Sequence, residues 1–153
     1  MGKQEISRRD VLAASGALVV AGAAGTASAA GTMDHSAHMM DGTLKNQAAI
    51  DASLDCVRKG NLCLDHCLEL FRANDTSVAE CATQVNQMLP MCETLAKLAM
   101  ADSKHLKQLA RVCIETCADC EKECRKHEDK HAACKACAES CAACIKACKK
   151  LVG

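Results

Sequence analysis

The chain has 153 residues, enough for one domain, and its 19 basic and 19 acidic residues balance to zero formal charge. The interleaved charges and a single aromatic residue, Phe71, exclude a basic, base-stacking surface for nucleic acid. A core without Trp or Tyr must be filled by Ala, Leu, Val, Met and Cys. Because strand-favouring runs are nearly absent, we predict an all-α fold.

Residues 1–29 have the form of a cleaved twin-arginine export signal. Arg8 and Arg9 precede an apolar run from Val11 to Ala24, and residues 27–29 read Ala-Ser-Ala, a small-x-small cleavage site. The apolar run is shorter than the roughly 20 residues of a membrane-spanning helix. We therefore expect export to the periplasm, with no membrane insertion after cleavage. A buried N-terminal helix is the alternative.

Residues 30–43 form a His/Met-rich segment between the signal and the helices. Its candidate ligands are His35, His38, Met39 and Met40. Imidazole and thioether groups bind soft transition metals. Because the segment immediately precedes the first helix, we expect metal to enter the following domain through these side chains. The alternative is a chain end without a function.

Four helices with short connections are predicted over residues 44–153. The expected ranges are Leu44 to Arg72, Ser77 to Met100, Ser103 to His127, and from Lys130 to Lys150. Residues 74–77 and 102–103 supply predicted N-caps. Pro90 predicts a bend or an irregular turn in the second helix. Short connections between long helices favour an antiparallel, up-down-up-down four-helix bundle.

The cysteines follow a helical repeat. Along each helix they occupy positions whose spacing alternates between three and four residues, which defines a seam facing the partner helices. In chain order they are Cys56, Cys63, Cys67, Cys81, Cys92, Cys113, Cys117, Cys120, Cys124, Cys134, Cys137, Cys141, Cys144 and Cys148. We therefore predict that all 14 point inward, with the charged residues between them outside.

Several uses of these cysteines compete. Facing helices sit about 8–10 Å apart, whereas a disulfide needs Cα atoms about 4.4–6.8 Å apart, so a disulfide-stabilised bundle is the less favoured alternative. Structural zinc prefers four ligands on turns and leaves a buried negative charge. Iron–sulfur clusters need a different spacing on loops.

Copper(I) fits the pattern better. It is soft, accepts two or three thiolates, and one Cu⁺ per thiolate keeps the core neutral. We expect several ions per chain, held by pairs at i and i+4: Cys63 with Cys67, Cys113 with Cys117, Cys120 with Cys124, Cys137 with Cys141, and Cys144 with Cys148. The remaining cysteines are expected to bridge between helices: Cys56, Cys81, Cys92 and Cys134.

Other candidate ligands are less specific. Met88 and Met91 are expected to fill the core. His127 and His131 are close to the cysteine end of the seams, where either a surface position or a capping ligand role fits. The remaining histidines of the helices, expected to face solvent, are His66 and His105.

These features together resemble the bacterial copper storage proteins. The resemblance rests on Ser7-Arg8-Arg9, on Met33-Asp34-His35 and on cysteines in all four helices. It implies a four-helix bundle that binds many Cu(I) ions, a tetrameric assembly, and a position for residues 35–40 at the bundle mouth. A copper-dependent enzyme or chaperone would receive the metal. A general soft-metal scavenger remains the alternative function, and no catalytic constellation suggests an enzyme.

Overall fold

The computed structural model of the protein describes residues 44–153, which fold into four helices. They are α1 (Gln47–Arg72), α2 (Ala79–Met100), α3 (Leu106–Arg125) and α4 (Ala132–Val152). Within this range there is no strand, so the all-α prediction is confirmed. No helix between residues 44 and 153 is long and apolar enough to cross a membrane. The predicted signal (1–29) and the His/Met-rich segment (30–43) lie outside the described residues.

The helices form the predicted four-helix bundle. The backbone of α1 packs against α2 and α4, and that of α3 packs against the same two helices. Short turns connect successive helices, so consecutive neighbours run antiparallel. The seams of all four helices meet along the central axis, which makes one continuous core.

The core has an apolar end and a sulfur-rich remainder. At the end that holds the α2–α3 turn, the buried side chains include Ile50, Leu95, Leu106 and Ala110. Towards the opposite end, cysteines replace these residues at the inward positions. The apolar end provides conventional hydrophobic burial, whereas small polarisable thiols fill most of the rest.

Two helices end on residues in the left-handed backbone region. Asn74 follows α1 with φ of 62°, and the N–H of Asp75 donates to the Leu70 carbonyl at 2.9 Å. Asp102 follows α2 with φ of 43°, and the next N–H bonds back to the last turn in the same way. This is the Schellman arrangement, which Asn and Asp tolerate better than most non-glycine residues.

The predicted N-caps are therefore wrong in detail. The N-cap positions of α2 and α3 are Val78 and His105, and neither has a side-chain capping hydrogen bond. Asp75 instead accepts the Ser77 N–H at 2.9 Å, inside the turn that precedes α2. Residue types that favour N-caps also favour the turn after a helix, and here the preceding helix determines their role.

Pro90 lies inside α2 without interrupting it, which differs from the predicted irregular turn. Pro90 and Asn86 are both exposed, so the Asn86 carbonyl that lacks a Pro90 N–H partner faces water. The Thr94 hydroxyl donates to the Pro90 carbonyl at 2.8 Å. The missing hydrogen bond is therefore tolerated on the solvent side of the helix.

Candidate metal site

All 14 cysteines lie in the helices and point into the core. Each is fully buried, with none of its surface exposed. The helical period explains this placement, because residues spaced by three and four share one face of a helix. The predicted inward orientation is confirmed.

The thiols are free. The Sγ atoms of Cys81 and Cys124 approach to 3.4 Å, whereas a disulfide bond is about 2.05 Å long. These contacts are non-bonded, so the core presents thiols that can ionise and bind a metal. The disulfide scaffold considered as an alternative is not what the structure contains.

Four groups of sulfur atoms are compact enough to share metal ions, with all Sγ atoms of a group within 4.8 Å of one another. The groups are Cys56, Cys92, Cys117 and Cys144; Cys63, Cys67 and Cys81; Cys63, Cys124 and Cys137; and Cys120, Cys137 and Cys141. Two sulfurs bound to one ion at about 2.3 Å cannot be more than about 4.6 Å apart. The groups therefore have nearly the dimensions of metal sites before any metal binds.

The groups are joined into one path of sulfur atoms. Cys63 and Cys137 each belong to two of the three-membered groups. The four-membered group connects to the others through Cys56 and Cys141, whose Sγ atoms are 3.6 Å apart. An ion bound at one group is therefore within a short step of sulfur ligands belonging to the next.

Contacts between helices dominate this path. Among the predicted i,i+4 pairs, Cys63 with Cys67 and Cys137 with Cys141 share a group, and Cys120 with Cys124 approach to 4.0 Å. The other two predicted pairs share no group: Cys113 with Cys117, and Cys144 with Cys148. Side chains at the centre of a bundle meet those of facing helices at distances as short as those along their own helix.

Cys113, Cys134 and Cys148 lie outside the four groups. The Cys134 Sγ accepts from the Cys63 thiol at 3.8 Å, so Cys134 extends the path towards the start of α4. The Cys113 thiol instead donates to the Met91 carbonyl at 3.4 Å. Cys113 therefore provides a buried thiol with a different environment from those in the groups.

Ionisation of these thiols depends on their neighbours. Burial raises the pKa of Cys113 to about 12, because a thiolate is poorly solvated in the core. A hydrogen bond with Cys117 raises the pKa of Cys92, whereas one with Cys117 lowers the pKa of Cys144. Thiols in a group thus act in turn as donors and acceptors. A cation that binds there takes the place of the shared protons.

The donor set indicates the metal. Within the described residues, each compact group contains only thiols. Thiolate selects soft ions, and Cu(I) accepts the two or three sulfurs that these groups offer. Successive Zn²⁺ sites with four thiolates each would bury several negative charges, which is costly at low dielectric. The geometry therefore fits Cu(I) best.

Polar contacts lie at the rim of the apolar end of the bundle. Lys45 Nζ lies 2.9 Å from a carboxylate oxygen of Asp102, and the Asn46 side-chain amide donates to the Ala99 carbonyl at 3.2 Å. These contacts connect the start of α1 to the α2–α3 turn. The predicted ligands at which metal enters, His35, His38, Met39 and Met40, lie outside the described residues.

Histidines meet at the opposite end. His66 Nε2 and His131 Nδ1 are 3.0 Å apart, and the rings of His127 and His131 have centroids 6.4 Å apart. His66 is half-buried, so the prediction that it faces solvent is wrong, because the turn before α4 covers it. His105 is exposed, as expected.

Met88 is a sulfur for which the sequence favours core filling over a ligand role. It is fully buried, and its Sδ accepts from the Cys56 thiol at 3.4 Å. Its position in the three–four repeat of α2 was the only signal in the sequence. Periodicity alone cannot distinguish a packing methionine from one beside a ligand.

Comparison with known proteins identifies the family. A sequence model of the copper storage protein family matches residues 43–153. An uncharacterized cysteine-rich protein, YhjQ of Bacillus subtilis (strain 168), is 29% identical over 86 residues, which cover 56% of this chain and 78% of that protein.

Solved structures of this family have the same fold. Apo-Csp3, copper storage protein 3 from Bacillus subtilis, is 28% identical, with a TM-score of 0.62 over 71% of this chain and 99% of its own. The Cu(I)-bound form of that protein matches with the same score. Ccsp from Streptomyces lividans, loaded with 10 copper equivalents, is 25% identical, with a TM-score of 0.63 over 72% of this chain and 88% of its own. The chain therefore belongs to the copper storage protein family.

Proposed function

We propose that this protein stores Cu(I) as a row of ions bound by the cysteine thiolates of its core, and that it does so in the periplasm. The observation that carries the proposal is the set of 14 buried, free thiols, 11 of which form groups joined into one continuous sulfur path. A site for one structural ion would need only about four of them. Storage explains why sulfur occupies most inward positions.

Charge balance supports a capacity close to one ion per thiol. Each Cu⁺ that displaces one thiol proton leaves the core with no change in net charge. If far fewer Cu⁺ ions than deprotonated thiols were bound, some buried thiolates would lack a compensating cation, which is costly at low dielectric. The family relative loaded with 10 copper equivalents supports a capacity of this order.

The proposed location rests on the sequence of residues 1–29. Twin-arginine signals direct folded proteins across the membrane. Folding before export would bury the thiols before they meet an oxidising compartment, which keeps them available for copper. The stored copper would pass to a copper-dependent enzyme or chaperone, and the exported chain would assemble as a homotetramer.

The proposed route of uptake begins at the segment 30–43. His35, His38, Met39 and Met40 would bind Cu(I) more weakly than thiolate does, which suits transit towards the cysteines. Replacing His35 and His38 by alanine should slow loading without changing the final copper content. Equal loading rates in the variant and the unaltered protein would contradict this route.

An anaerobic titration of the reduced protein with Cu(I), followed by gel filtration and metal analysis, tests storage directly. We expect at least about ten ions retained per chain, with free thiols disappearing in proportion. Parallel titrations with Cd²⁺ and Zn²⁺ should saturate at fewer ions, which separates copper storage from general scavenging. Saturation with one or two Cu(I) ions would refute storage.

A further inference from the structure

The inward face of α2 has a long gap between its two cysteines. Cys81 and Cys92 are separated by about 16 Å along the helix axis, and the inward positions between them are Val85 and Met88, both fully buried. Met88 is therefore the only fully buried sulfur that α2 places between these cysteines, since Met91 is half-buried. It lies beside the point where the four-membered group meets the others.

The environment of Met88 has the dimensions of a ligand site. Its Sδ is 3.4 Å from Cys56 Sγ, and Cys56 Sγ is 3.6 Å from Cys141 Sγ. Sulfurs that share one ion at bonds of about 2.3 Å have separations of this size. Gly60 provides the space, because a Cβ at Gly60 would lie 2.8 Å from the Met88 methyl carbon.

We infer that Met88 is a thioether ligand to a stored Cu(I) ion, shared with Cys56. This inference rests on the proposed storage of Cu(I). A thioether is neutral, so one Cu⁺ bound by one thiolate and Met88 forms a site with zero net charge inside the core. Such a site holds its ion less tightly than a site with two thiolates. Met88 therefore provides a weaker step in the sulfur path, at the junction between the groups.

Selenium spectroscopy tests this ligand directly. The protein is labelled with selenomethionine in a background with Met33, Met39 and Met40 replaced by leucine, then loaded with Cu(I). X-ray absorption at the selenium edge should show copper as a bonded neighbour of selenium. The signal should disappear in Met88→Leu and persist in the matched control Met91→Leu.

Metal analysis provides the second readout. Met88→Leu should release about one ion per chain to a Cu(I) chelator at a concentration that leaves the Met91→Leu protein fully loaded. Absence of a copper–selenium neighbour in the background protein, or its persistence in Met88→Leu, would overturn the inference. Either result leaves the storage proposal intact if the protein still retains about ten ions.

A separate set of residues lies on the outer face of α1. Leu54, Leu62 and Leu68 are 46%, 57% and 43% exposed, which concentrates large exposed apolar side chains on this helix. Leu54 and Leu68 also belong to a second three–four repeat, distinct from the cysteine seam. In order, this outer row is Leu54, Val57, Asn61, Leu64, Leu68 and Phe71. Such a repeat is the pattern of a helix that pairs with another helix.

Charges beside the outer row are self-complementary. Asp51, Arg58, Asp65 and Arg72 recur every seven residues and alternate in sign. If a second α1 packs antiparallel about a two-fold axis near Leu62, Asp51 faces Arg72 of the partner subunit and Arg58 faces Asp65 of the partner subunit. A parallel pairing in register would instead bring like charges to the same level.

The apolar residues fit the same register. Leu54 then packs against Phe71 of the partner subunit, and Val57 against Leu68 of the partner subunit. Apolar contacts and all four charge pairs are thus satisfied by one symmetric, isologous arrangement. The geometry points to a homodimer interface formed by two antiparallel α1 helices. This interface deepens the proposed homo-oligomer, in which a tetramer needs one further contact surface.

Sedimentation velocity of the reduced, copper-free protein tests the interface. Replacing Leu54 and Leu68 by glutamate should abolish association at this face, while the control Val112→Glu, at an equally exposed site on α3, should not. Arg58→Asp should weaken association about tenfold or more, since it creates two repulsive pairs per dimer. Adding Asp65→Arg should restore it.

Copper binding separates this inference from the storage proposal. All the α1 variants should retain the copper content of the unaltered protein, because the substituted side chains are exposed and none of them is a sulfur ligand. A monomeric unaltered protein would overturn the interface. So would an oligomer unaffected by the leucine replacements, or a failure of Asp65→Arg to restore association.

Discussion

Removing Cys137 should affect copper binding more than removing another equally buried cysteine. Cys137 belongs to two of the sulfur groups, whereas Cys113 belongs to none. Both thiols are fully buried, so each replacement by alanine removes one sulfur atom from the core. The pair therefore isolates the effect of shared ligation.

The structure allows the magnitudes to be estimated. Each alanine variant loses one buried sulfur and leaves a small void, so copper-free stability should fall by about 1–2 kcal/mol in both. Copper capacity should fall by about one ion in both, because one thiolate is lost. In Cys137→Ala, however, two three-sulfur groups lose a ligand. Two further ions should therefore bind about tenfold more weakly, which is about 1.4 kcal/mol each.

Competition with a Cu(I) chelator, read by native mass spectrometry, measures this difference. At chelator concentrations that leave the Cys113→Ala protein loaded, Cys137→Ala should already have released about two additional ions. Urea unfolding of the copper-free variants checks that the two substitutions are matched in stability. Superimposable competition curves for the two variants would refute shared ligation by Cys137.

Three further results are expected. The folded-state pKa of Cys113 is raised from 9.0 to about 12, so its contribution to copper-free stability is fully present below pH 9 and is lost as the pH rises towards 12. In that window, Cys113→Ala should make the fall of the unfolding free energy with pH less steep by about 1.4 kcal/mol per pH unit. An unchanged slope would contradict this prediction. A Cβ at Gly60 would lie 2.8 Å from Met88 and 2.9 Å from Leu89 side-chain atoms, so Gly60→Val should lower the unfolding free energy by about 1–3 kcal/mol, measured by urea unfolding. The control is Ala118→Val at an exposed position, and equal unfolding midpoints for the two variants would contradict the prediction. Copper loading should raise the Tm and a chelator should reverse the rise, since an ion at a thousand times its Kd adds about 4 kcal/mol; a Tm independent of copper would count against binding to the folded core.

The fold and the inward placement of the cysteines could be predicted because both follow from a local period. A three–four spacing assigns each cysteine to one face of its own helix, whatever the partner helix does. The grouping could not be predicted in the same way. Whether Cys63 meets Cys124 or another cysteine of α3 depends on the axial offset between helices, which packing at the apolar end and the turn geometry determine together.

Errors at the helix ends have a related cause. Asn74 and Asp102 belong to residue types that suit both an N-cap and the left-handed position after a helix. The sequence shows the residue type, but whether that residue caps the following helix or terminates the preceding one depends on where the preceding helix ends. Similarly, His66 lies off the cysteine seam, yet the turn before α4 brings His131 to it. Contacts made by connecting turns are the least visible in a sequence.

The difference in composition between the two bundle ends bears on how the fold stays stable after copper is released. Ile50, Leu95, Leu106 and Ala110 are buried apolar side chains at one end of the core, and none of the four is a metal ligand. Their packing keeps the helices in register whether or not metal is present. The bundle therefore need not unfold when copper is released, unlike domains that fold only when zinc is bound. A bundle that stays folded without copper can be loaded again, and the apolar end provides the stability that this requires.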